Sequence, residues 1–132
     1  MYKKVLVEQQ IRDGARLIEE LDRRGFEVSS AFWHDVPDSP HWTLVIAAKI
    51  VDRVGPRAAY GLLNRVRHER RLLDTIDDSF SLWSPTSAQF MGILESVATR
   101  GLIATGYRSD RPDSGRVLDE AYIYRLEPAV HT

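Results

Sequence analysis

The sequence predicts an α+β domain: a mostly antiparallel five-stranded sheet with three helices, in the order α-β-β-α-β-α-β-β. Three observations carry that expectation. Apolar residues switch along the chain between a helical spacing of three and four and a strand-like spacing of two. Two pairs of strand-like runs are each joined by a polar, turn-rich loop, as hairpins are. All 132 residues suit one domain, with 43% apolar and 28% charged residues and no linker, repeat or low-complexity tract to divide them.

From Gln9 to Arg24, Ile11, Ala15, Ile18 and Leu21 recur at spacings of three and four, which predicts an amphipathic helix stopped by Gly25. Phe26 to His34 then alternates Phe26, Val28, Ser30 and Phe32 against Glu27, Ser29, Ala31 and Trp33. Trp42 to Val51 is a second strand-like run, and the turn formers from Asp35 to His41 separate the two. Gly55-Pro56 should open a second helix that reaches about Leu73, because proline suits the first helical position. A short strand, Phe80 to Trp83, follows a turn at Asp77-Asp78. Ser84-Pro85 reads as N-cap and first residue of a third helix, striped by Phe90, Ile93, Leu94 and Val97 and ended by Gly101. Strands around Leu102 to Arg108 and Val117 to Leu126 close the chain, with a polar loop from Ser109 to Gly115 between them.

Composition narrows the function classes. Eighteen basic residues against nineteen acidic ones leave a formal charge of −1. Domains that wrap nucleic acid through many phosphates usually show a basic excess, so net charge disfavours that partner while leaving room for a local patch. The absence of cysteine removes disulfides, thiolate nucleophiles and cysteine-bound metal centres, and suits a reducing compartment. The apolar opening around Val5-Leu6-Val7 is too short for a signal-peptide core, and no apolar run approaches the ~18 residues of a membrane span. A cytoplasmic protein without a membrane segment is expected.

No catalytic, metal or cofactor motif emerges. Gly-x-Ser-x-Gly, a phosphate-binding glycine loop and His-Glu-x-x-His are all missing. Asp38 and Lys49 echo the nuclease pattern of an acid followed by acid-x-lysine, but Ala47 stands where the second carboxylate would hold a divalent ion. The neighbours Asp77-Asp78 and Asp119-Glu120 would point to opposite faces of a strand and so make no dyad. His34, Asp35, Asp38 and His41 flank the first hairpin loop without any recognised zinc spacing, and loop conformation alone accounts for such residues.

Two features remain as interaction candidates. At 100° per residue, Arg53, Arg57, Asn64, Arg67, His68 and Arg71 fall on one side of the second helix, opposite Leu62, Leu63, Val66 and Leu73. Such a stripe suits carboxylates or phosphates, and Arg108, Arg111 and Arg116 would extend it if the fold brought them near. The plain alternative is the solvated face of a surface helix. Secondly, Phe32-Trp33, Leu82-Trp83 and the run Tyr122-Ile123-Tyr124 place apolar groups on both faces of the sheet. Helices on both faces would make this ordinary core. Helices on one face would leave Trp33, Val45 and Trp83 as an exposed interface, with Trp42 as a further anchor at the hairpin mouth.

The segments Val51-Asp52 with Gly55-Pro56-Arg57-Ala58-Ala59-Tyr60, and Asp119 to Leu126, resemble segments of small bacterial proteins of unknown function, as does Leu17 to Trp33. The resemblance implies a bacterial origin and brings no activity and no catalytic residues. The function expected is therefore that of a non-enzymatic interaction domain, a small subunit or adaptor with self-association among its readings. The alternative is a nucleic-acid accessory protein that uses the arginine stripe.

Overall fold

The computed structural model describes residues 6–36, 38–73, 79–97, 106–109, 115–118 and 121–127. Among them stand four helices, α1 (Glu8–Arg23), α2 (Ile50–Val54), α3 (Pro56–Arg70) and α4 (Ala88–Val97). Six strand segments accompany them: β1 (Val28–His34), β2 (Thr43–Ala48), β3 (Ser79–Trp83), β4 (Tyr107–Arg108), β5 (Arg116–Leu118) and β6 (Ala121–Leu126). The α+β class is as expected, while the helix count and the sheet differ in detail. The sheet order is β3-β2-β1-β6-β4, with β5 also paired to β6.

The sheet is mixed. β1 pairs antiparallel with β2 and β6, but β2 and β3 run parallel. The chain between β2 and β3 carries α2 and α3, the helical crossover that a parallel neighbour requires. α2 is the additional helix. Gly55, at φ +87, separates it from α3 and donates its N–H to the Val51 carbonyl. The last part of the sheet also departs from a simple hairpin. Both β4 and β5 pair with β6, Tyr107 against Leu126 and Leu118 against Ala121. They therefore lie in tandem along one edge of β6. The expected stops at Asp77-Asp78 and Gly101 fall outside the described residues.

Local chemistry explains the ends of the helices. Gln10 reaches back to accept the Val7 N–H at 3.2 Å, half of a capping box, since Val7 has no side-chain oxygen to return. At the other end of α1, Gly25 adopts φ +79 and Phe26 N–H returns to the Leu21 carbonyl at 3.0 Å. α4 is capped by Ser87, whose hydroxyl accepts the Phe90 N–H at 3.0 Å. Ser84 instead holds a turn, accepting the Thr86 N–H and donating to Asp52.

Helices cover the sheet on both faces. On one, α1 and α3 bury Ala31, Trp33, Leu44, Ile46, Leu82, Tyr122 and Tyr124. On the other, α4 packs with Phe32, Val45, Ala47 and Ile123. The register Phe32↔Val45 and Trp33↔Leu44 sets Trp33 and Val45 on opposite faces. A bulge in β6 sets three residues, Ile123 to Arg125, against Phe32 and Ala31 of β1. One result is that consecutive residues Tyr124 and Arg125 both reach α1, which strict alternation forbids. Trp33 Nε1 donates to the Tyr124 hydroxyl at 2.9 Å, and that hydroxyl donates in turn to the Ile11 carbonyl.

Gly14 makes this chain of bonds fit. A Cβ there would stand 2.6 Å from the Tyr124 oxygen and 3.1 Å from Trp33 Nε1. Gly14→Ala should therefore lower stability by about 1–2 kcal/mol, overpacking outweighing the gain in helix propensity. Gly61→Ala, in open space on α3, should raise it by about 0.5–1 kcal/mol. Urea denaturation of both variants checks the pair; a stabilised Gly14→Ala would contradict the packing described.

Burial pushes the Tyr124 phenol well above the ordinary tyrosine value of about 10. The folded state thus favours the protonated form, so its contribution is complete below about pH 10 and is lost as pH rises beyond it. Wild-type stability should fall above about pH 10 more steeply than that of Tyr124→Phe. Chemical denaturation between pH 8 and 11 gives both slopes, and equal slopes would contradict the assignment.

Candidate functional site

The arginine stripe divides into internal clips and outward-facing cations. Arg53 belongs to α2, not α3, and ties the start of β1 by bonds to Glu27 Oε1 at 2.7 Å and the Gly25 carbonyl at 2.6 Å. Glu27, at φ 56, also accepts Lys49 N–H through its carbonyl, so Arg53 braces a strained corner. Arg67 folds back on its own helix end. Its guanidinium bonds Asn64 Oδ1 and the Leu73 carbonyl and lies 4.4 Å from the Phe80 ring centre. Arg53, Asn64 and Arg67 are thereby structural.

Arg57, His68 and Arg71 are exposed. So is Arg65, about 80° round the helix from Arg57. None of the four makes an ion pair among the described residues. On the wheel Arg57, Gly61 and His68 share about 40°, so an exposed glycine separates the charges and the face is flat at its middle. Over its 15 residues α3 is roughly 22 Å long.

That face is held rigidly from behind. Ala59, Leu63 and Val66 are buried against the sheet, and Tyr60 accepts the Leu82 N–H at 2.8 Å. Since among the described residues β3 pairs only with β2, this hydroxyl occupies a polar group on the outer edge of that strand, where stray pairing would otherwise begin. Arg70 pairs with the buried Glu20 at 3.2 Å and Arg24 with Glu69 at 2.7 Å, which joins α1 to α3. Arg71 takes the left-handed conformation, φ 53, and closes the helix.

The arginines of the last loop do not extend the stripe. Arg108 is on β4, at the opposite edge of the sheet from the β3 strand that α3 covers. Arg111 falls outside the described residues, and of Arg116 only the strand backbone is described.

The aromatic interface resolves differently. Trp33 is 0% and Val45 2% exposed, each in one of the chain's own cores, so neither belongs to a surface. Trp83 is half-buried beside the α4 core and donates its indole N–H to Ser81. Trp42 is half-buried against the α1 side, and its Nε1 has no acceptor among the described residues. At the hairpin, His34 ends β1 and is buried, while Asp38 of the loop, at φ 66, is exposed. Among the described residues no three His, Cys, Asp or Glu side chains gather as a metal site, and no helix is long and apolar enough to cross a membrane. No family model, curated protein or solved structure matches this chain.

The division between clips and free cations has a direct consequence. Arg67→Ala should lower stability by about 1–3 kcal/mol, since it leaves carbonyl groups and the Phe80 ring uncovered. Arg57→Ala should change stability by less than about 0.5 kcal/mol, as for an ordinary surface site. Thermal denaturation of the two variants checks this; equal losses would mean that Arg57 too is structural.

Proposed function

We propose that this chain is a non-enzymatic interaction domain, a small cytoplasmic subunit or adaptor that receives an acidic protein segment on the outward face of α3. The observation that carries the reading is the contrast within the stripe. Arg53, Arg67 and Arg70 are tied to partners within the fold, while Arg57, Arg65 and Arg71 stand exposed without an ion pair among the described residues, with His68 among them. Guanidinium groups pair bidentately with carboxylates, and a rigid helix loses little freedom when it binds. Self-association is a further mode of the same reading, with the half-buried Trp83 and Trp42 as its anchors.

Nucleic acid is the alternative partner for this face. The formal charge of −1 weighs against it, because a few cations give only a shallow electrostatic attraction to a polyanion. The two partners separate in one experiment. A labelled peptide of eight glutamates and a single-stranded oligonucleotide of matched charge are each titrated against the protein at low salt. The peptide should bind saturably, and the combined replacement Arg57→Glu, Arg65→Glu and Arg71→Glu should weaken it by about tenfold or more. Tighter oligonucleotide binding with a steep salt dependence would replace this reading by the nucleic-acid one. No saturable binding of either probe would overturn both.

A further inference from the structure

We infer that a second site, a cleft between β4, the end of β6 and the start of β1, binds the oxyanion group of a small molecule, a carboxylate or a phosphate. The inference is independent of the α3 face, since the two lie at opposite edges of the sheet. The cleft measures about 320 Å³ and is lined by Ser29, Tyr107, Arg108, Arg125 and Glu127 among others. That volume is at the small end of the range for ligand sites, roughly 300–1,000 Å³.

Two features of the backbone build it. A register shift between Val28 and Ser30 leaves Ser29 as the extra residue of a bulge in β1, with its hydroxyl donated to the Ala47 carbonyl at 3.3 Å. The bulge in β6 falls just before Arg125, which lines the same cleft. Bulges of this kind re-aim side chains and recur beside functional sites.

The charges supply the chemistry. Arg108 and Arg125 are direct partners in the β4–β6 ladder, and both line the cleft. Like charges so placed destabilise a sheet unless something neutralises them. Asp22 answers one of them. It accepts Arg125 Nη1 at 2.9 Å, and the same nitrogen donates to the Val28 carbonyl at 3.1 Å. Among the described residues Nη2 and Nε of Arg125 have no acceptor, and the side chain is only 12% exposed. Arg108 is exposed and has no ion pair among the described residues, and Glu127 pairs with neither arginine. The cleft therefore joins one anchored and one adjustable guanidinium, the arrangement that chelates a small oxyanion between them.

Backbone amide NMR shifts test the site, with inorganic phosphate and succinate as probes, each compared with sodium chloride at equal ionic strength. One or both should produce saturable shifts at Ser29, Arg108 and Leu126, and which one does so assigns the ligand to the phosphate or the carboxylate class. Arg108→Ala, at an exposed position, should fold and weaken the effect by about tenfold or more. The triple charge reversal on α3 should leave it unchanged. Shifts no larger than those of sodium chloride, shifts confined to α3, or full binding by Arg108→Ala would each overturn the proposal.

Discussion

The burial of β1 on both faces is the constraint on which the rest of the structure depends. Phe32 and Trp33 are neighbours in the chain and each is 0% exposed, so opposite faces of one strand must both be covered. A helix on one side cannot satisfy that. The chain answers with α1 and α3 over Trp33 and α4 over Phe32, and with β2 and β6 closing the two edges of the strand. The buried polar atoms then need partners, because an indole or phenol left unbonded in the core costs about 1–3 kcal/mol. Trp33 and Tyr124 supply them to each other and to α1, and Gly14 makes the close approach fit.

This arrangement shapes what the protein can offer a partner. Trp33 and Val45 serve the interior, so the sheet does not present them as a binding face. The exposed chemistry passes to the edges: a cationic helix face beside β3, and a pair of opposed arginines between β4 and β6. In both places the bonds an arginine already makes shape its role. Arg53 and Arg67, whose guanidinium groups bond carbonyl or carboxylate oxygens at more than one nitrogen or partner, hold the fold. Arg125 is anchored through Nη1 alone.

Features that depend on neighbours in sequence were legible. Gly25 ends α1, Pro56 begins α3, and the spacing of Ile11, Ala15, Ile18 and Leu21 marks the buried side of the first helix. Features that depend on distant pairing were not. Adjacent apolar residues in β1 left open whether one face or both would be covered, because that turned on where α4 packs. The parallel pairing of β2 with β3 follows from the helical crossover between them, a clue in the element order that outweighs the simpler hairpin pattern. Ser84-Pro85 has the composition of a helix start yet forms the turn before it, and Ser87 is the cap. Within the site, a helical wheel run through Gly55 placed Arg53 on the stripe although the helix breaks there. Arg125 drew no notice, though an arginine in the apolar run from Ala121 to Leu126 signals a side chain with a partner to find.

The claim most central to this account is that both faces of the sheet are permanent core and that binding is left to the edges. Native-state hydrogen exchange of the Trp33 indole and of the β1 and β6 amides measures it most directly. The account predicts that these protons exchange only through global unfolding, with one opening free energy common to the α1 and α4 sides. Exchange on the α4 side through a much cheaper local opening would contradict it, since Phe32, Val45 and Ile123 would then be accessible and the sheet face itself would be the interface.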